Sequence, residues 1–137
     1  MDRNFSEIVN HVKTFHESFG IENGTAPTTG LSKAEILLRH KLMQEENEEY
    51  LEAAQNKDLV EVADALGDQL YILCGTILKH GLQHKIVEVF EEIQRSNMSK
   101  LDDNGNAIYR EDGKIMKSSN YFKPNIRDIL LPEVASK

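Results

Sequence analysis

Apolar side chains recur at helical spacing over four stretches of the chain. Phe5, Ile8, Val9, Val12, Phe15 and Phe19 mark the first stretch. Asn4 with Glu7 three residues on forms a capping pattern at its start, and Gly20 is a natural stop. Residues 20–31, with Gly20, Gly24, Pro27 and Gly30 among several threonines, form a loop. Ser32 with Glu35 repeats the cap and opens a second helix to about Ala54, which Asn56-Lys57-Asp58 breaks. Asp58 with Glu61 starts a third helix ending near Gly81, and a fourth runs from about His84 to Asn97. The pattern then changes. Ile108-Tyr109 and Ile115-Met116 flank Glu111-Asp112-Gly113, which predicts a short β-hairpin because Asp-Gly suits a turn with positive φ. Beyond it, Pro124 and Ile129-Leu130-Leu131 predict an extended tail that packs back on the body or on a neighbouring subunit. The expected architecture is all-α, a four-helix bundle-like fold with a C-terminal hairpin and tail, in one domain spanning residues 1–137.

The carboxylates interrupt this pattern. Each helical residue advances about 100° around the axis. With Leu38 at zero, Leu42, Ala53, Tyr50, Met43, Ile36 and Ala54 occupy an arc from about 40° to 160°. Glu49 falls near 20° and Glu46 near 80°, where a core-facing helix places leucine, whereas Glu45, Glu48 and Glu52 lie on the other face. In the third helix Glu61, Asp64 and Asp68 form a stripe one side chain wide. Leu59, Val62, Ala63, Leu66, Leu70, Leu73 and Ile77 make the rest of that helix almost wholly apolar, which suits a bundle interior. Ionised carboxylates sheltered together cost several kcal/mol each. They persist beside a cation, or protonated, or along a wide polar groove edge. Since the stripe holds no Lys or Arg before Lys79, a bound metal is the simplest solution, and oxygen-only ligands select Mg²⁺, with Mn²⁺ as a substitute.

Other chemistries find no support. No His lies three residues after a Glu, as di-iron bundles require. Asp102 to Gly113 has Ala107 at the glycine position of a calcium loop and Gly113 at its twelfth position. A P-loop, a Gly-x-Ser-x-Gly elbow and a Cys/His nucleophile pair are all absent, and His11, His16, His40, His80 and His84 are expected at the surface or at helix ends. The 137 residues carry a net charge of −7, which argues against duplex nucleic acid as a partner. The basic groups gather late: Arg95 to Arg127 holds seven against four acids, so a metal-binding middle and a polyanion-binding tail can serve one site. Cys74 is the lone cysteine, the first residues lack the apolar run of a signal peptide, and no stretch is long enough to span a membrane. A cytoplasmic location is expected.

Glu45-Glu46-Asn47-Glu48-Glu49-Tyr50-Leu51-Glu52-Ala53, followed by Ala65-Leu66-Gly67-Asp68-Gln69-Leu70-Tyr71, resembles the MazG-like all-α nucleoside triphosphate pyrophosphohydrolases. The phosphoribosyl-ATP pyrophosphohydrolase-like branch is included. Arg95-Ser96-Asn97-Met98-Ser99-Lys100, and Gly113-Lys114 through Lys117 to Pro124, are similar to that branch too, and the likeness extends from about Phe15 to Leu131.

The resemblance implies a Mg²⁺-dependent enzyme that releases a nucleoside monophosphate and pyrophosphate from a (d)NTP or related nucleotide. Glu46, Glu49 and Asp68 match metal ligands, while Ala65 stands where the family has a further Glu. Asp64 is the substitute, or else Glu61-Val62-Ala63-Asp64 supplies the pair in another register. Glu49 or Glu61 would orient the attacking water, and Asn97 and Lys100, then Lys114, Lys117 or Lys123, would hold phosphates or sugar. Similar proteins complete a four-helix core by association, which implies a homodimer or homotetramer. The alternative is a non-catalytic nucleotide- or metal-binding regulatory module on the same bundle.

Overall fold

The computed structural model describes residues 4–131. They divide into two compact units, one within residues 1–84 and the other within residues 85–137. The first contains helices α1 (Phe5–Ser18), α2 (Lys33–Gln55) and α3 (Leu59–Lys79). The second contains α4 (Ile86–Met98), strands β1 (Ile108–Tyr109) and β2 (Ile115–Met116), and α5 (Ile126–Leu130).

The helices of the first unit begin where capping side chains satisfy otherwise unpaired amides. The Asn4, Ser32 and Asp58 side chains accept hydrogen bonds from the amides of Glu7, Glu35 and Glu61 at 3.0, 3.1 and 3.1 Å. Glu35 also reaches back to the Ser32 amide at 3.2 Å, completing a capping box. Between α2 and α3 the reversal is tight, and Lys57 adopts a left-handed backbone with φ 55°. The small apolar core joins Val9 and Val12 of α1 to Cys74 and Leu78 of α3, with Phe5 and Ile8 packed against it.

The loop after α1 is stapled to the end of α3. The Gly24 amide donates to Leu78 O at 2.8 Å and the Thr28 amide to His80 O at 2.9 Å, while buried Lys79 donates to Glu22 O at 2.6 Å and pairs with Glu35 at 2.8 Å. Gly81 lies under this loop with φ 65°, and a Cβ there would stand 2.1 Å from Ala26 O. This left-handed residue ends α3, and residues 82–85 form a turn, so α4 starts at Ile86 rather than near His84.

In the second unit the hairpin pairs Ile108 with Met116 and Tyr109 with Ile115, and Gly113 takes φ 86° in its turn. The segment expected to be extended winds instead into α5, where the Asn125 side chain accepts from the Asp128 amide and the Asn125 amide donates to Glu92 at 2.7 Å. Buried Glu92 therefore anchors the tail to α4, helped by the Ser96 hydroxyl, which donates to Phe122 O at 2.8 Å. Residues 132–137 of that expected tail lie outside the described residues.

Helix α3 is less enclosed than its composition predicts. Leu59, Leu66, Leu70 and Leu73 are all exposed, because α1 and α2 cover only part of its circumference. No described helix is long and apolar enough to cross a membrane.

Gly81→Ala is expected to combine a left-handed backbone penalty of about 1–2 kcal/mol with a backbone clash. Gly20→Ala meets open space at φ 71° and incurs only the first cost. Thermal unfolding of both variants checks this: equal losses in Tm would contradict the clash.

Candidate functional site

Helices α2 and α3 run antiparallel, as their cross-links require. Gln69 donates to Asn47 at 3.1 Å, and further along Arg39 donates to Thr76 Oγ1 at 3.1 Å and to Ile72 O at 2.8 Å. Residues farther along α2 thus meet residues earlier in α3. This register brings Glu46, Glu49 and Asp68 together, with one carboxylate oxygen from each lying within 4.8 Å of the others.

The cluster is electrostatically strained. Desolvation pushes the Glu46 carboxyl up to about 7, reinforced by hydrogen bonding and repulsion from Glu49 and by the charges of Asp68 and Asp64. Asp68 is raised as well, first by desolvation and then by Asp64 and Glu49. Glu46 Oε2 is buried with no hydrogen-bond partner among the described residues. An orphaned oxygen in an oxygen-only donor set fits a hard divalent cation, which would occupy the unsatisfied lone pairs and reverse the repulsion.

Asp64 acts electrostatically on this triad but falls outside it. It lines an adjoining cleft of about 390 Å³ with Glu49, Glu52, Asp58 and Glu61. Glu61 therefore stands at the cleft, not in the triad. Glu52 joins the cleft although its helical angle assigned it to the solvent face; its spacing of three from Glu49 was the available signal. Asp58 serves first as a cap.

Asn97, Lys100, Lys114, Lys117 and Lys123 belong to the second unit. Asn97 sits in the last turn of α4 and Lys100 just beyond it, partly buried. Lys114, Lys117 and Lys123 are exposed, and the Lys117 ammonium rests 4.7 Å from the centre of the Tyr121 ring. The Asp102 carboxylate accepts from the amides of Asn104 and Asn106, both at 2.9 Å, so that stretch uses its acid in a turn.

Two of the buried polar residues that were not foreseen lie beside Gly75. His16 lies in the last turn of α1, but it is buried against Gly75 instead of exposed, with Nδ1 donating to Asn23 Oδ1 at 2.6 Å. Burial lowers its pKa, and the neighbouring charges of Arg39 and Lys79 act in the same direction against the Asn23 bond. Arg39 is the other, one step from Leu38 and so inside the apolar arc of α2.

The chain matches the phosphoribosyl-ATP pyrophosphohydrolase family over residues 12–97, well over half its length. It belongs to that family. Phosphoribosyl-ATP pyrophosphohydrolases are hydrolases of phosphoric anhydride bonds in nucleotides, within the MazG-like all-α superfamily. The match to the family spans α2 and α3 entire, so both carboxylate-bearing helices fall within it. Among curated proteins, no match is found.

The raised Glu46 pKa fixes a sign. The unfolded carboxyl ionises near its ordinary value of 4.5 and the folded one near 7, so rising pH through this window favours the unfolded state. Without divalent ions, Tm should fall between pH 5 and pH 8. Added Mg²⁺ or Mn²⁺ should raise Tm more at pH 8 than at pH 5, where protons compete for the carboxylates. Equal increments at the two pH values would contradict the assignment.

Proposed function

We propose that the chain is a Mg²⁺-dependent nucleotide pyrophosphohydrolase that releases a nucleoside monophosphate and pyrophosphate, with Mn²⁺ able to replace Mg²⁺. The observation that carries this reading is the triad of Glu46, Glu49 and Asp68, with its unpartnered Glu46 oxygen, in a member of a pyrophosphohydrolase family. These three residues are the proposed metal ligands, and Asp64 is the candidate for the fourth. When bound, the metal would offset phosphate charge and make the phosphorus more electrophilic.

The protein's own groups have the remaining work. Glu49 borders both triad and cleft, and Glu61 lines the cleft, so either can orient a water and accept its proton. The water oxygen bonds to the inner phosphorus, the anhydride P–O bond breaks, and pyrophosphate departs with the bonding electron pair. Asn97 and Lys100, with Lys114, Lys117 and Lys123, are the side chains proposed to hold phosphates and sugar. In this reading residues 1–137 act as one functional domain in the cytoplasm.

A homodimer or homotetramer is proposed as the working form. Leu66, Leu70 and Leu73 form an exposed apolar row on α3, with Met43 beside it. Sedimentation velocity tests this: the native chain should sediment as an oligomer, and paired Leu70→Glu and Leu73→Glu changes should yield monomer.

For the activity, the test is pyrophosphate release from a panel of (d)NTPs and phosphoribosyl-ATP with Mg²⁺. Glu46→Gln should reduce turnover by ~10²-fold or more, while Glu48→Gln, on the opposite face, should leave it near the native rate. Equal effects would refute the facing of α2. Nucleotide binding without turnover would favour a regulatory module.

A further inference from the structure

We propose that a second cavity in the first unit receives the nucleobase, held by its lactam edge, and so sets substrate choice. The inference rests on the nucleotide reading above and adds to it where the base sits and which edge is read.

The cavity, of about 250 Å³, lies between α1, α2 and α3. Phe15, Tyr71, Leu38 and Leu42 provide apolar walls, and His16, Arg39 and the Glu35–Lys79 ion pair contribute polar groups. The Phe15 and Tyr71 rings meet edge to face, with centroids 5.6 Å apart and planes at 87°. Aromatic side chains of this kind give a flat heterocycle something to stack on. Leu42 precedes Glu46 by four residues on α2, and Ile72 follows Asp68 by four on α3. Both intervals equal about 6 Å of helical rise, so the cavity adjoins the carboxylate triad without overlapping it. Base and phosphates of one nucleotide, joined through a sugar, need such a separation.

Arg39 is the decisive group. It is only 8% exposed, yet no carboxylate pairs with it among the described residues, since nearby Glu35 is taken by Lys79. Its Nε and Nη2 atoms are committed to Thr76 and Ile72, and Nη1 makes no hydrogen bond to the described residues. A buried guanidinium without an anion calls for a strongly polarised acceptor. His16 supplies the complement. Its Nδ1 proton is given to the Asn23 side-chain oxygen, which leaves Nε2 as an acceptor. The two groups are neighbours, for a Cβ built on Gly75 would lie 2.5 Å from Arg39 Nη2 and 3.0 Å from His16 Nε2. A ring carbonyl beside a ring N–H matches this order: the carbonyl accepts from Arg39 and the N–H donates to His16. Guanine, hypoxanthine and uracil carry that edge.

Isotope-labelled protein titrated with nucleoside monophosphates in EDTA tests the proposal apart from metal and turnover. GMP and UMP should shift the ring resonances of Phe15, His16 and Tyr71 and bind more tightly than AMP and CMP. Inorganic tripolyphosphate should leave those rings unmoved. Leu38→Trp, which fills the cavity from a half-exposed position, and Tyr71→Leu, which removes a flat ring, should each weaken GMP binding by about tenfold or more. Ring shifts with tripolyphosphate, binding unaltered in both variants, or equal affinity for amino-substituted bases would overturn it. An inactive chain that still shows base-dependent shifts would refute the catalytic reading alone, whereas an active chain without them would refute the cavity alone.

Discussion

Arg39 reaches across from α2 to α3 and fixes how the two helices face each other, and the carboxylate geometry depends on that contact. The guanidinium lies where Gly75 leaves room, and a Cβ at that position would collide with it at 2.5 Å. Its bonds to Ile72 O and Thr76 Oγ1 are partly buried, so sliding one helix along the other would leave a guanidinium in a poorly solvated position without its partners. Seven residues along α2 from Arg39, and four back along α3 from Ile72, stand Glu46 and Asp68. Mutual repulsion of those acids opposes the approach of the helices. The arginine contact and the Asn47–Gln69 bridge hold them together across that repulsion.

Local signals in the sequence were sufficient for the elements. Three side-chain caps and the Asp112-Gly113 turn depend on residues within three positions of one another, so the sequence pattern located them. The tail fails in part because a local signal goes unread: the Asn125 side chain caps the Asp128 amide three residues on, as the other caps do. The second tie, from the Asn125 amide to Glu92 33 residues away, has no local pattern to announce it.

The acids show the same division. Angular position sufficed to single out Glu46 and Glu49 as facing α3, because a helix has a fixed period. It misjudged Glu52, since a carboxylate at the edge of one helix face can border a cleft that the neighbouring helix shapes. His16 was missed because its burial depends on a glycine in another helix, and Arg39 because the reading of α2 followed only its apolar and acidic positions. An apolar face holding one arginine opposite a glycine is a pattern that sequence reading can use.

The short reversal at residues 56–58 has a consequence of its own. Lys57 keeps φ 55°, a conformation that a lysine holds only where the helices on both sides demand it. Where α3 keeps its place against α2, one residue added to or removed from this corner shifts every residue of α3 by one position, which is about 100° around its axis. The stripe bearing Asp64 and Asp68 would then swing away from Glu46 with every side chain still present. The length of the corner is therefore as much a component of the acidic centre as the acids themselves.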